Sequence, residues 1–140
     1  MDTDKNKDRK RTGKGLKRAE LLEKELTERV IAACMEVSNL LGAGFLESVY
    51  QRALVQELEL RGIQFRGQCP IQVLYKGNPV GDYIADLVVE ERLIVELKAL
   101  SGLTTEHEAQ LLNYLKATGI HVGLLVNFGT ARLQWKRLVL

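Results

Sequence analysis

Hydrophobic residues recur every three or four positions along residues 22–41, which is the pattern of an amphipathic helix. Gly42 and Gly44 end this run, and a second helical pattern covers residues 46–61. We therefore expect the fold to open with two helices joined by a glycine-containing turn.

The hydrophobic period changes from about four to two after the second helix, and this change predicts β-strands. Residues 71–75 alternate between apolar and more polar positions, and residues 76–79 have turn-forming composition. Two runs rich in β-branched residues follow at 80–89 and 93–97, joined by a polar three-residue connection. Three antiparallel strands are the simplest interpretation.

The last part of the chain predicts one helix and two strands. Thr105 and Glu108 have the spacing of a capping box, and the helix they begin should end near Gly119. Segments 121–126 and 132–139 have strand composition. The predicted order is ααβββαββ, which belongs to the α/β class.

Length and composition indicate one ordinary globular domain. The chain has 140 residues, of which 46% are hydrophobic and 27% charged. No apolar run reaches the roughly 18 residues of a membrane helix, and the N-terminus has no apolar stretch typical of a signal peptide, so we expect a cytoplasmic protein with no membrane contact. With two cysteines and two histidines, thiolate zinc sites and a disulfide framework are not expected, and oxygen atoms should hold any metal.

The net charge of +2 conceals an asymmetry, because residues 1–18 contain eight Lys or Arg against three Asp. We predict a basic disordered arm at residues 1–20, followed by a single domain at 21–140. Such an arm would add affinity for nucleic acid phosphates, and the alternative is a solvated tail that does no more than maintain solubility.

The sharpest chemical feature combines Asp86 with Glu96 and Lys98. Glu96 and Lys98 are two apart in a predicted strand and share a face, whereas Leu97 points to the other. If the strands pair through the 90–92 turn, Asp86 and Glu96 lie directly opposite each other.

Adjacent carboxylates repel unless a proton or a cation lies between them, and oxygen ligands of this kind suit Mg²⁺ or Mn²⁺. Lys98 would then lie beside the metal. The alternative is a surface carboxylate pair with Lys98 as its ion-pair partner, but the apolar residues around them favour a central strand covered on both faces.

Two helical pairs are weaker candidates. Gln110 and Tyr114 are one turn apart and could orient a water and contact a phosphate, or they could be a surface Gln and a half-buried core Tyr. Glu47 and Tyr50 share a face of the second helix, where a lone Glu is usually solvated or simply favourable in the first turn.

These residues carry a resemblance. Asp86, the Glu-Leu-Lys of 96–98, and Gln110 with Tyr114, in that order along the chain, resemble the PD-(D/E)XK nuclease superfamily, whose recombination exonuclease branch has the same Gln-x-x-x-Tyr spacing. Residues 44–50, Gly-Phe-Leu-Glu-Ser-Val-Tyr, resemble the signature of the small bacterial GxxExxY protein family, which is assigned to that superfamily. The similarity extends from about residue 26 to the C-terminus.

The resemblance implies a restriction-endonuclease-like αβββαβ core, with a mixed central sheet flanked by helices and an additional N-terminal helix. The catalytic residues it implies are Lys98, Gln110 and Glu47, the metal ligands are Asp86 and Glu96, and the substrate contacts are Tyr114 and Tyr50. Two positions depart from the family pattern. Ser38 stands where His is frequent, which removes a proton carrier, and Ala43 stands where Pro is frequent, which changes turn rigidity.

We therefore expect an Mg²⁺-dependent or Mn²⁺-dependent phosphodiesterase acting on DNA, with RNA as the alternative substrate. One alternative is a module on a nuclease scaffold that binds nucleic acid or protein without cleaving it, and a weaker one is a structural homo-oligomer. Because only 6% of the residues are aromatic, we expect phosphate contacts rather than a stacking platform for single strands.

Overall fold

The structure is a computed structural model that describes residues 18–140. The predicted basic arm therefore lies outside the described residues, except for residues 18–20. These belong to a helical turn whose Ala19 and Leu22 carbonyls accept hydrogen bonds from the Arg137 guanidinium.

Three helices and five strands follow in the predicted order. Helix α1 comprises Lys24–Leu41 and helix α2 comprises Glu47–Leu60. Strands β1, β2 and β3 comprise Phe65–Tyr75, Asn78–Val89 and Leu93–Lys98. Helix α3 comprises Thr105–Thr118, strand β4 Val122–Asn127 and strand β5 Gln134–Val139.

The five strands form one mixed sheet in the order β1-β2-β3-β4-β5. Only β3 and β4 are parallel, and helix α3 provides the crossover that parallel neighbours require. Strand β2 pairs with β3 in a register that sets Leu87 against Val95 and Val89 against Leu93. This register places position 86 across from position 96, as the sequence predicted.

Helices cover both faces of the sheet. Helices α1 and α2 pack on the face that includes Leu93, Val95 and Leu97, whereas α3 packs on the face that includes Ile94 and Leu125. Glu96 and Lys98 therefore point toward the α3 side, and the buried Leu97 points into the opposite core. None of the helices within residues 18–140 has the length and hydropathy that a membrane crossing requires.

The β1–β2 hairpin changes faces part-way along its length. Its pairing passes from Gly67 opposite Leu87 to Cys69 opposite Ala85 and omits Gln68 and Asp86. Gln68 has a φ of 50°, a left-handed conformation that breaks the strand alternation. Consequently Leu87 packs on the α1–α2 side, whereas Cys69 and Ala85 pack on the α3 side. The outer half of the hairpin therefore lies along helix α3.

One local prediction is wrong by a residue. Thr104, rather than Thr105, caps helix α3: its hydroxyl accepts the His107 N–H, and the His107 ring Nδ1 accepts the Thr104 N–H. Thr104 has extended backbone, as a cap requires, whereas Thr105 is already helical. Two consecutive threonines make this choice invisible in the sequence.

Candidate active site

Asp86 and Glu96 hold the two strands together where the ladder between β2 and β3 ends. The Asp86 N–H donates to Glu96 Oε1 at 2.9 Å, and the Leu97 N–H donates to Asp86 Oδ2 at 2.8 Å. Each carboxylate therefore accepts a backbone N–H of the opposite strand and replaces a ladder bond. The predicted pair is thus brought side by side, with both orientations fixed by backbone.

Burial and the neighbouring carboxylate make Glu96 a weaker acid than an ordinary glutamate. Its side chain is only 5% exposed, and burial followed by the negative charge of Asp86 raises its pKa to about 8. The hydrogen bond from the Asp86 N–H and the positive charge of Lys98 act in the opposite direction but are smaller. At neutral pH a proton therefore occupies the pair unless a cation replaces it.

Among the described residues, Lys98 lies near the two carboxylates but is not paired with either of them. It is half-buried at the end of β3, and its charge lowers the pKa of both Glu47 and Glu96 against the larger raising effects. Among residues 18–140 it forms no ion pair. This placement argues against the simple ion-pair interpretation of Lys98.

The first turn of α2 supplies two further polar groups. Glu47 is exposed, yet partial burial and then the charge of Asp86 raise its pKa, so it lies within electrostatic range of the pair. One turn later, the Gln51 Nε2 donates to the Asp86 carbonyl at 3.4 Å. Gln51 was missed because a helical glutamine has no distinctive spacing, although its position four residues after Glu47 puts both on one face.

The structure separates Tyr50 from these groups. Its ring is fully buried and stacks on Phe128 with centroids 4.8 Å apart. Its hydroxyl donates to the Gly42 carbonyl at 2.6 Å and accepts the Phe45 N–H at 3.2 Å. Because no polar atom is free to meet a ligand, the predicted substrate contact does not agree with this placement. Tyr50 instead fixes the 42–45 loop that leads into Glu47.

A buried asparagine holds the chain just after Lys98. Asn127 Oδ1 accepts the N–H groups of Leu100 and Gly129, and its Nδ2 donates to the Leu100 carbonyl and to Gln134. A Cβ at Gly129 would lie 2.1 Å from the Leu100 carbonyl oxygen, so only glycine allows this approach. Asn127 is thus a positioning residue that the sequence analysis left without a role.

Gln110 and Tyr114 lie together on α3, as predicted, along the wall of a groove between α3 and the hairpin. Tyr114 is nearly buried, and its pKa is raised by burial and then by the charges of Glu96 and Asp86. It therefore lies between the carboxylates and the groove. Its ring also contacts Tyr83 of β2, with centroids 5.7 Å apart.

The carboxylate oxygens of Asp86 and Glu96 are the ligands that the site offers to a divalent cation. The described residues contain no group of three or more His, Cys, Asp or Glu side chains arranged to hold a metal. Within residues 18–140, Asp86 and Glu96 each use one carboxylate oxygen to accept a backbone N–H of the opposite strand, and the other oxygen accepts no backbone N–H. Two oxygen ligands fit Mg²⁺ or Mn²⁺, which bind through one or two carboxylates and keep several waters.

Comparison with known proteins bears on the superfamily and the fold of the chain. The sequence profile of the PD-(D/E)XK nuclease superfamily matches residues 24–138. The crystal structure of a protein designated SSO0001 superposes with a TM-score of 0.53 at 20% identity, covering 87% of this chain and 61% of that one. The chain therefore spans less than two thirds of that protein, and the likeness shows the fold alone. No curated protein sequence matches this chain.

The match along most of the chain shows that the protein belongs to the PD-(D/E)XK nuclease superfamily. The predicted restriction-endonuclease-like fold, a mixed sheet flanked by helices, is confirmed. Nucleases of this superfamily act on nucleic acids and usually use divalent metal ions.

Proposed function

We propose that the protein is an Mg²⁺-dependent or Mn²⁺-dependent nuclease that hydrolyses phosphodiester bonds in DNA, and that RNA is a further substrate. The observation that carries this proposal is the Asp86–Glu96 pair, fixed by two backbone hydrogen bonds, with Lys98 on the same face and not in an ion pair. The Gly44–Tyr50 signature, with Glu47 within electrostatic range of Asp86 and Tyr50 anchoring its loop, supports assignment to the GxxExxY family.

Asp86 and Glu96 would hold the ion through the two oxygens that accept no backbone hydrogen bond. Such an ion supplies charge stabilisation at the phosphate and activates a water nucleophile. Lys98 would orient the attacking water or neutralise charge that develops on the phosphate oxygens. Glu47 adds a third carboxylate at the edge of the site, and Gln110 and Tyr114 line the approach to it.

Lys98→Ala is the decisive variant. We expect cleavage of DNA in Mg²⁺ or Mn²⁺ to fall by about 10²–10⁴-fold, because a positioned acid–base or charge-stabilising group is lost. Lys24→Ala, which removes an exposed lysine on α1, is the matched control and should cleave like the parent protein. A folded Lys98→Ala protein with unchanged cleavage would exclude the catalytic role.

Metal binding is tested separately from cleavage. Millimolar Mg²⁺ or Mn²⁺ should raise the melting temperature of the parent protein, since a ligand that binds only the native state stabilises it. Asp86→Asn should remove that increase while keeping an oxygen that accepts the Leu97 N–H. Metal-independent melting of the parent, together with no cleavage of DNA or RNA, would instead favour a module that binds without cleaving.

A further inference from the structure

The hairpin and helix α3 form a groove of about 1010 Å³, and its lining includes Tyr83, which lies three residues before Asp86 on strand β2. Tyr114 links the groove to the carboxylates: it lines the groove beside Tyr83, and its pKa is raised by burial and then by the charges of Glu96 and Asp86. The groove exists because the hairpin changes faces at Gln68 and Asp86 and then extends along α3. A ligand in this groove would therefore lie next to the candidate catalytic groups.

The lining of the groove is not that of a phosphate-binding surface. Its ionisable groups are Lys116, Glu106 and His107, so the formal positive and negative charges balance with His neutral. Duplex DNA is gripped mainly by several Lys and Arg on its phosphates, and this groove offers a single lysine.

The groove instead offers amides and tyrosines. Gln72, Gln110 and Asn113 line it, and an amide can both donate to and accept from the edge of a nucleobase. Tyr83 is 47% exposed, so part of its ring is open to a ligand. Gly81 shares its strand face, and a Cβ there would lie 3.4 Å from the Tyr83 ring, so the missing side chain leaves room beside it.

We infer that this groove binds the unpaired bases of single-stranded nucleic acid, with one base stacked on Tyr83 and its neighbours facing the amides. Aromatic faces and amide edges are what exposed bases require, whereas a duplex hides both faces of every base in its stack. The low aromatic content of the whole chain is therefore misleading, because the structure brings Tyr83 and Tyr114 together in one groove. The inference rests on the proposed function in that the substrate is nucleic acid.

Binding without metal tests the groove independently of cleavage. In EDTA, a dye-labelled single-stranded DNA should bind the full-length protein more tightly than the duplex of the same sequence, measured by fluorescence anisotropy. Tyr83→Ala should weaken single-strand binding by about 5- to 150-fold, the range expected for loss of one base–aromatic stack, and leave duplex binding unchanged. Tyr83→Phe keeps the aromatic ring and should bind like the parent.

Tyr75→Ala is the matched control, because Tyr75 lies on the same hairpin, is 63% exposed and does not line the groove. It should bind single strands like the parent protein. A single strand that carries 2-aminopurine should show quenched fluorescence on binding the parent and recovered fluorescence with Tyr83→Ala. Circular dichroism melting checks that each variant is folded.

The experiments distinguish between two outcomes: the groove proposal is wrong, or the nuclease proposal is wrong. Equal affinity for single strand and duplex, or a folded Tyr83→Ala protein that binds like the parent, would overturn the groove even if cleavage in Mg²⁺ is intact. Tyr83-dependent binding of single strands without cleavage would support the groove and refute the nuclease. Absence of any single-strand binding would overturn the groove as well.

Discussion

Replacing Glu96 with glutamine tests the electrostatics of the site without any substrate. The glutamine Oε1 can still accept the Asp86 N–H, so the link between the strands is kept while the ionisable group is removed. Glu96→Gln should therefore be more stable than the parent protein above neutral pH in the absence of divalent cations. It should differ little from the parent at about pH 5.

The direction and the size of this stability difference follow from the raised pKa of Glu96. The pKa is about 8 in the fold against its ordinary value of 4.5, so the stability that the protonated group provides is full below about pH 4.5 and is lost as the pH rises through 8. That difference corresponds to on the order of 5 kcal/mol in the free energy of unfolding, at up to about 1.4 kcal/mol per pH unit. Because small domains are stable by only about 5–15 kcal/mol, the effect is readily measured.

The assay is urea denaturation in EDTA, followed by far-UV circular dichroism, at several pH values between about 5 and about 9. Glu36→Gln on the exposed surface of α1 is the control and should follow the pH profile of the parent. Parallel profiles for Glu96→Gln and the parent would show that Glu96 is an ordinary exposed acid in solution. With millimolar Mg²⁺ the parent should regain stability at high pH, whereas Glu96→Gln should not.

Three further outcomes are expected. Asn127→Ala should destabilise the fold by about 2–5 kcal/mol in urea denaturation, since the fully buried Asn127 amide and its hydrogen bonds to the Leu100 N–H and C=O are lost, and a loss under 1 kcal/mol would contradict this. Tyr50→Phe should lower the free energy of unfolding by about 1–3 kcal/mol in the same assay, because the hydrogen bonds of the hydroxyl with Gly42 and Phe45 are lost. An unchanged urea denaturation curve would show that the hydroxyl is dispensable. Deleting residues 1–17 should weaken DNA binding and reduce the slope of log K against log salt concentration. An unchanged slope would show that this basic segment does not contact the phosphates.

The sequence predicted the site best where local rules act. The turn between β2 and β3 is short, so counting outward from it gives the register that sets position 86 against position 96. The alternation within β3 correctly directs Glu96 and Lys98 away from the core residue Leu97. Both predictions need only nearest-neighbour geometry, which the residue pattern contains.

The remaining features depend on contacts that are distant in sequence. The change of faces at Gln68 lies in the first part of β1, before the alternation at residues 71–75 that predicted this strand. Gly67 and Pro70 flank Gln68, but such residues mark an irregularity and do not say which face the chain takes afterwards. The role of Asn127 depends on Leu100, which belongs to another segment of the fold. The groove, and the place of Tyr83 in it, depend on how the hairpin lies along helix α3. The periodicity of residues within one strand does not reveal that arrangement.

The hydrogen bonds that Asp86 and Glu96 accept separate the shape of the site from its charge. As strand caps, the two residues would serve equally well as asparagine and glutamine, whose carbonyl oxygens can also accept the Leu97 and Asp86 N–H groups. The amide pair would also be free of the burial penalty, and of the repulsion by Asp86, that together hold a proton on Glu96 at neutral pH. A purely architectural role therefore explains why an oxygen acceptor stands at each position and leaves both acids unexplained. At neutral pH the proton on Glu96 relieves the repulsion between the two acids, and a bound divalent cation would take the place of that proton. Cation binding and proton release are therefore coupled at this site.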